Sequence, residues 1–193
     1  MERLLLSCLV AVSLLAGCGQ DARTPAPLVR APASAGGGPP DTSILGAGGG
    51  RMAACMVRAE EALQRINAAR AAGRRCGARS MPAAPPLRWD ASLLVAAEEH
   101  SLDMARHDYF EHASPSGRTV KDRASAARYP WKGLGENLMA GTSGIAETVQ
   151  GWLDSPEHCE NLMDAKFVDV AVACVGQHGT QYGTYWTMVL GRR

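Results

Sequence analysis

The chain has 193 residues and a formal net charge of +1, with 20 basic and 19 acidic side chains. No basic stripe or aromatic–basic interleaving occurs, so nucleic acid is excluded as an expected partner. About 140 residues remain once a compositionally biased N-terminal quarter is set aside; that is the size of one ordinary domain, enough to bury a core without a metal or many staples.

Residues 1–17 read as a targeting segment. Arg3 supplies a positive start, residues 4–15 an apolar run too short for a comfortable membrane span, and Leu15-Ala16-Gly17 a small-residue end. With Cys18 next, the segment resembles a bacterial lipoprotein leader, whose pattern is Leu-Ala-Gly-Cys. That resemblance implies cleavage before Cys18 and acylation, palmitate included, of its thiol and new N-terminus. Gly19 after the cysteine implies the outer membrane where the cell has one. Residues 18–50 are rich in Pro, Gly and Ala, with Gly36-Gly37-Gly38-Pro39-Pro40 and Gly48-Gly49-Gly50. They hold too few large apolar residues to offset the entropy of ordering and read as a tether with a reach of about 90 Å. Four cysteines then belong to the domain at residues 51–193: Cys55, Cys76, Cys159 and Cys174. An even count in an exported domain implies disulfides in one of three pairings, and no Cys-x-x-Cys pair seeds a metal site.

Within the domain, residues 52–72 carry Met56, Leu63 and Ile66 near helical spacing, and Gly73 ends that helix. Residues 74–86, with Cys76 and three prolines, read as a loop. Asp90 caps a second helix with Leu94, Ala97, Ser101 and Met104 on one stripe. Ser114-Pro115-Ser116-Gly117 makes a turn before a short helix at residues 119–128. Residues 135–139 read as a strand between glycines. Ser143 caps a helix whose Ile145, Thr148, Val149 and Trp152 share one face. Pro156 cannot continue that helix; it starts a new one behind Ser155 as N-cap, placing His158 in a first turn. Residues 169–175 and 182–190 alternate as two strands joined by a glycine turn. Helices in the first half and an antiparallel hairpin at the end give an α+β domain, helices packed on a small antiparallel sheet.

From Ile66-Asn67-Ala68-Ala69-Arg70 to the C-terminus these residues resemble the bacterial branch of the CAP superfamily, the SCP-like domain shared with cysteine-rich secretory and plant pathogenesis-related proteins. The landmarks are Pro86-Leu87-Arg88-Trp89, His100-Ser101-Leu102-Asp103-Met104-Ala105, Phe110-Glu111-His112, Ser114-Pro115-Ser116-Gly117 through Asp122-Arg123, Gly135-Glu136-Asn137, the Trp152…His158…Asn161 segment and Tyr185-Trp186-Thr187-Met188-Val189. The resemblance implies an α/β/α sandwich with a central antiparallel sheet and an open cleft. In animal and plant members two histidines and two glutamates line that cleft and hold a divalent metal. His112 matches the first histidine and Glu136 the first glutamate. Where the second glutamate belongs this chain has Asp154-Ser155-Pro156-Glu157-His158, and where the second histidine belongs it has Tyr185. By the same resemblance Cys76 pairs with Cys159, and Cys55 with Cys174 forms the second bridge.

His112, Glu136 and His158 form the only constellation for acid–base or metal work, and they are the candidate zinc ligands. A carboxylate beside two imidazoles raises their pKa values, whereas a bound cation favours the neutral rings. The structural alternative has Glu136 accepting hydrogen bonds that tie two loops together. Asn137, Asn161 and Tyr185 complete the expected cleft. His100 reads as a half-buried packing residue, His107 and His178 as solvated, Asp122-Arg123 as a local ion pair, and Trp131, Trp152 and Trp186 as core. Ser155, occupied as an N-cap, has no base beside it to make it a nucleophile. The expected function is an exported, lipid-anchored binding module of the cell envelope. It is a monomer that needs no cofactor, held to the membrane through Cys18, with a lipid, sterol-like, cell-wall or peptide ligand in its cleft. The alternatives are a metal-assisted hydrolase or protease using His112, Glu136 and His158, and a structural envelope protein.

Overall fold

The structure is a computed structural model that describes residues 55–193. The leader, the lipidation site at Cys18, the tether and the expected helix start at Met52 lie outside the described residues.

Eleven elements follow one another: α1 (Ala59–Arg70), β1 (Arg74–Cys76), β2 (Arg79–Met81), β3 (Arg88–Trp89), α2 (Ala91–His107), α3 (Val120–Ala126), β4 (Gly133–Ala140), α4 (Ile145–Asp154), α5 (Pro156–Met163), β5 (Asp169–Gly176) and β6 (Thr184–Arg192). The main sheet has the order β3-β5-β6-β4; β5–β6 and β6–β4 are antiparallel, and two-residue β3 adds parallel to β5. Strand alternation sends successive side chains to opposite faces. Val170, Val172, Trp186, Met188 and Leu190 therefore meet α1, α4 and α5 in one core with Ile66, Trp152 and Leu162. Ala171, Ala173 and Val189 point the other way, to Leu93, Ala97 and Ala124 of α2 and α3. The result is the expected α/β/α sandwich. The small residues on the second face let α2 lie close against the sheet.

Two bridges tie the periphery to this frame, Cys55–Cys174 with Cα atoms 5.6 Å apart and Cys76–Cys159 with Cα atoms 5.4 Å apart. The supposed loop at residues 74–86 contains the β1–β2 hairpin, whose strands are too short and too polar to show alternation in sequence. It turns at Gly77, which has φ +58° and whose missing side chain leaves room for the Pro156 ring; a Cβ there would fall 2.9 Å from Pro156 Cβ.

Other differences are local. α1 begins at Ala59, with Met56 exposed before it, because Arg58 is extended and offers no cap bond. α2 buries Leu93 in place of Leu94, and its Asp90 cap accepts from the Ser92 and Leu93 amides. At α4 the N-cap is Gly144, and Ser143 instead donates its amide and hydroxyl to Glu147. Ser155 is the N-cap of α5 by position only; its side chain makes no cap bond, so its hydroxyl is not occupied in the way the sequence suggested.

Candidate functional site

β4 carries the centre of the site. Its even-numbered side chains face α2 and α3, its odd-numbered ones α5, so Glu136 and Asn137 leave the strand in opposite directions.

On the first face the Glu136 carboxylate is almost wholly buried and both of its oxygens are engaged. Oε1 accepts from His112 Nδ1 at 2.9 Å, and Oε2 accepts from Arg123 Nη2 at 2.7 Å. Arg123, 1 % exposed, also donates to the carbonyls of His112 and Arg118. It is delivered there by α3, which starts at Thr119, where both the backbone amide and the hydroxyl of Thr119 donate to Asp122. The expected Asp122–Arg123 ion pair is therefore replaced by two separate duties: Asp122 closes a helix start and Arg123 neutralises Glu136. A buried carboxylate needs such a partner, since an unpaired one would neutralise itself by taking a proton.

His100 joins this group, contrary to its reading as half-buried packing. Its ring is fully buried, and Nε2 donates to the Glu111 carbonyl at 3.0 Å and lies 4.0 Å from Glu136 Oε1. A carbonyl only accepts, so the neutral ring carries its proton on Nε2 and its Nδ1 is a bare acceptor, buried and without a partner among the described residues. Burial holds the ring's pKa down to about 4, against the opposing pull of Glu136. His112 behaves in the opposite way. Its hydrogen bond to Glu136 raises its pKa, burial only partly offsets this, and its side chain is 62 % exposed. Nδ1 faces the carboxylate, leaving Nε2 toward the solvent side.

On the second face Asn137 is fully buried; its Nδ2 donates to the His158 carbonyl at 2.8 Å and its Oδ1 accepts from Asn161 Nδ2 at 3.0 Å. Asn137 is thus a clamp between β4 and α5 and not a cleft amide. His158, half-buried, has an Nδ1 without a partner among the described residues, and burial lowers its pKa, with the nearby His112 charge lowering it further. It makes no bond to Glu136. Tyr185 lies opposite Ala140, four residues along β4 from Glu136, and gives its hydroxyl to Asp108 Oδ1 at 2.6 Å in a separate cluster with Met104 and Leu138. It does not join His112 and Glu136.

A groove of about 340 Å³ runs beside this centre. One wall is His112 and Ala113 after α2, with Thr119 and Val120 at the start of α3. The other side is Leu134, Gly135 and Glu136 of β4, with Asn161 of α5. For a divalent cation the fit is poor. Both Glu136 oxygens are committed, the Arg123 guanidinium stands where it would repel a cation, and among the described residues no three His, Cys, Asp or Glu side chains are grouped to hold a metal. Arg123 and His100 are the residues that sequence reasoning missed. His100 had a signal, since it falls at helical spacing from Leu93, Ala97 and Met104 on the buried stripe of α2. Arg123 had none beyond its place among the landmarks.

Comparison with known proteins agrees with this fold. The chain is 30 % identical over 102 residues to the protein YkwD of Bacillus subtilis (strain 168), a match that covers 53 % of this chain and 38 % of that one. It is 32 % identical to a solved extracellular protein containing a SCP domain from Bacillus anthracis, with a TM-score of 0.50, covering 57 % of this chain and 35 % of that one. It shares the fold of an outer surface protein of Borrelia burgdorferi, at 20 % identity and a TM-score of 0.52, covering 57 % of this chain and 80 % of that one. The chain thus spans little more than a third of the length of the two Bacillus proteins it matches. The profile described as CAP, the cysteine-rich secretory protein family, matches residues 63–190, from the middle of α1 through most of β6, so the chain belongs to that family.

Proposed function

We propose that this protein is an exported CAP-domain binding module, anchored in the cell envelope by lipid on Cys18 and carried on the tether at residues 18–50. It acts as a monomer without a resident cofactor and takes an apolar or peptide-like ligand in the groove beside His112. The observation that carries this reading is the state of Glu136, whose two oxygens are held by His112 and Arg123. A carboxylate so engaged is a fixed wall of the groove and not a free base or ligand. Ala113, Val120 and Leu134 give the groove apolar surface, and His112 Nε2 and Asn161 give it polar groups. The extracellular and outer-surface descriptions of two solved relatives support export.

Incubation of the full chain with an envelope lipid extract or soluble cell-wall fragments, followed by native mass spectrometry, tests the reading. A stoichiometric adduct that is lost in Val120→Glu, with the circular dichroism unchanged, is the expected result. No retained mass from either source, nor from a pooled peptide library, overturns it. Cys18→Ser should move the protein from the membrane fraction to the soluble one.

One observation favours a second reading. Glu136 orients Nδ1 of an exposed imidazole, so Nε2 points outward as a general base would. Turnover of an ester or amide substrate that disappears in His112→Ala would select hydrolysis over binding.

A further inference from the structure

The sheet ends at the groove, and it ends with unanswered backbone groups. Among the described residues β4 is the last strand of its sheet, with β6 on one side only. The Gly141 amide donates to the Thr184 carbonyl at 3.0 Å, and the ladder runs back in step from there. In an antiparallel ladder the bonded residues alternate, so Gly135, Asn137 and Met139 turn their amides and carbonyls to β6, while Leu134, Glu136 and Leu138 turn theirs outward. Two outward carbonyls are capped by side chains: that of Leu138 accepts from Trp152 Nε1 at 2.9 Å and that of Glu136 from Asn161 Nδ2 at 3.4 Å. Among the described residues nothing meets the amide or carbonyl of Leu134, or the amide of Glu136. The Glu136 amide faces the groove, and a backbone donor at an open sheet edge takes its partner from whatever enters there. Leu134 and Glu136 both line the groove.

Resting on the binding-module reading above, we infer that the groove takes a short extended peptide, which adds as a partial fifth strand to the open edge of β4 from Leu134 to Glu136. The occupant is read from the backbone. An amide, a carbonyl and a second amide at strand spacing ask for an acceptor, a donor and an acceptor at that spacing, which an extended peptide supplies and a sterol or acyl chain does not. Length follows from the caps. Trp152 and Asn161 close the edge beyond Glu136, so the open part is about three residues, roughly 10 Å of strand. Side-chain chemistry follows from the wall. Leu134 and Val120 both pack toward the core beneath α3, so one apolar side chain of the peptide seats between them, and His112 Nε2, left as an acceptor because Nδ1 donates to Glu136, stands at the rim to accept from a peptide amide.

The test uses the full chain, nitrogen-labelled, with a pooled library of end-blocked pentapeptides carrying apolar residues at alternate positions. Bound peptide should slow amide exchange at Leu134 and Glu136 about tenfold or more, leaving Gly135 and Asn137, already bonded to β6, little changed. Leu134→Pro removes one outward amide at an edge position where proline is tolerated, and should weaken peptide binding about tenfold. If that variant fails to fold, the exchange measurement on the unaltered chain decides alone. Peptides that bind without slowing either amide overturn the inference. Lipid or glycan that fills the groove while peptides do not also overturns it and leaves the binding-module reading standing. No bound mass of any class removes both. Protection that grows with protein concentration alone, with a dimer in sedimentation, overturns it in favour of β4 edges pairing between copies.

Discussion

Glu136 and Asn137 are neighbours in the chain, yet they anchor two faces of β4 that are held by different forces. On the Asn137 side the ties are neutral amides, a buried apolar core and the Cys76–Cys159 bridge fastening α5 to the β1–β2 hairpin. On the Glu136 side they are charges: a carboxylate, a guanidinium and two imidazoles, one shut away from water and one open to it. On the first face the groups that touch β4 are neutral, His158 giving only its backbone carbonyl; charge enters one layer out, where buried Arg70 donates to the Leu162 and Asp164 carbonyls and Arg79 pairs with Glu160. The second changes with pH and opens into the groove. The sheet can therefore keep its shape on one side while presenting a responsive surface on the other.

Breaking the neutral face should cost most. The Cys76–Cys159 bridge closes a separation of 83 residues, for which the chain-entropy account gives about 4–5 kcal/mol. Cys76→Ser with Cys159→Ser should lower the unfolding free energy by that amount in urea melts, while the His112 ring resonances stay in place. Loss of those resonances in the folded variant would show that the two faces are not independent.

On the charged face the largest effect belongs to Arg123. Its removal strands Glu136 in a site only 7 % exposed, and breaking a buried pair from one side costs about 3–5 kcal/mol. Arg123→Met should show that loss, and Arg123→Met with Glu136→Gln should recover most of it, because the double variant leaves no unpaired charge. Equal destabilisation in the single and double variants would mean that Arg123 holds the loop carbonyls of His112 and Arg118 and does little for Glu136.

The same contrast explains what the sequence could and could not reveal. β5 and β6 were legible because both faces are covered and their runs of Val, Ala and aromatic residues alternate between two cores. The β1–β2 hairpin was not, since three-residue strands of Arg, Cys, Ser and Met carry no period and are held by a disulfide and a turn glycine. His112 and Glu136 came through the resemblance, and the structure bonds them. His158 was grouped with them because linear motifs do not say which side of a strand a neighbour approaches; it sits on α5, which Asn137 reaches from the opposite face. Arg123 looked like half of a surface ion pair because Asp122 precedes it, and only the packing of α3 on β4 separates the two. Tyr185 was placed by a family position, and its hydroxyl turns instead to Asp108.

His100 should dominate the acid side of the stability curve. The ring is buried and neutral, with its pKa pushed down to about 4, whereas in the unfolded chain it titrates near its ordinary value of about 6.5. Above that value both states are neutral and nothing is lost. As pH falls from about 6.5 towards 4 the unfolded state takes the proton first, so stability declines, by up to about 3 kcal/mol. His100→Gln keeps a donor for the Glu111 carbonyl and removes the titration. Its unfolding free energy should therefore be flatter than the wild type over this range, and an unaltered slope would place the acid sensitivity elsewhere.

His112 should give the smallest effect and the opposite sign, which makes it the sharpest check on the two histidines of the charged face. Its pKa is raised, chiefly by the hydrogen bond to Glu136, so its stabilising contribution is fully present below about pH 6.5 and is lost as pH rises through the folded value. The ring is mostly exposed and water screens the pair, so the change should stay below about 1 kcal/mol and shrink further in high salt. Titration of the ring carbons by NMR should find His112 above the ordinary histidine value and His158 below it, as burial and the neighbouring His112 charge require. In Glu136→Gln the His112 value should fall back while His158 stays depressed by burial. Were His158 to return to the ordinary histidine value in that variant, the His112 charge and not burial would hold it down, and the division of β4 into a neutral face and a charged one would not hold.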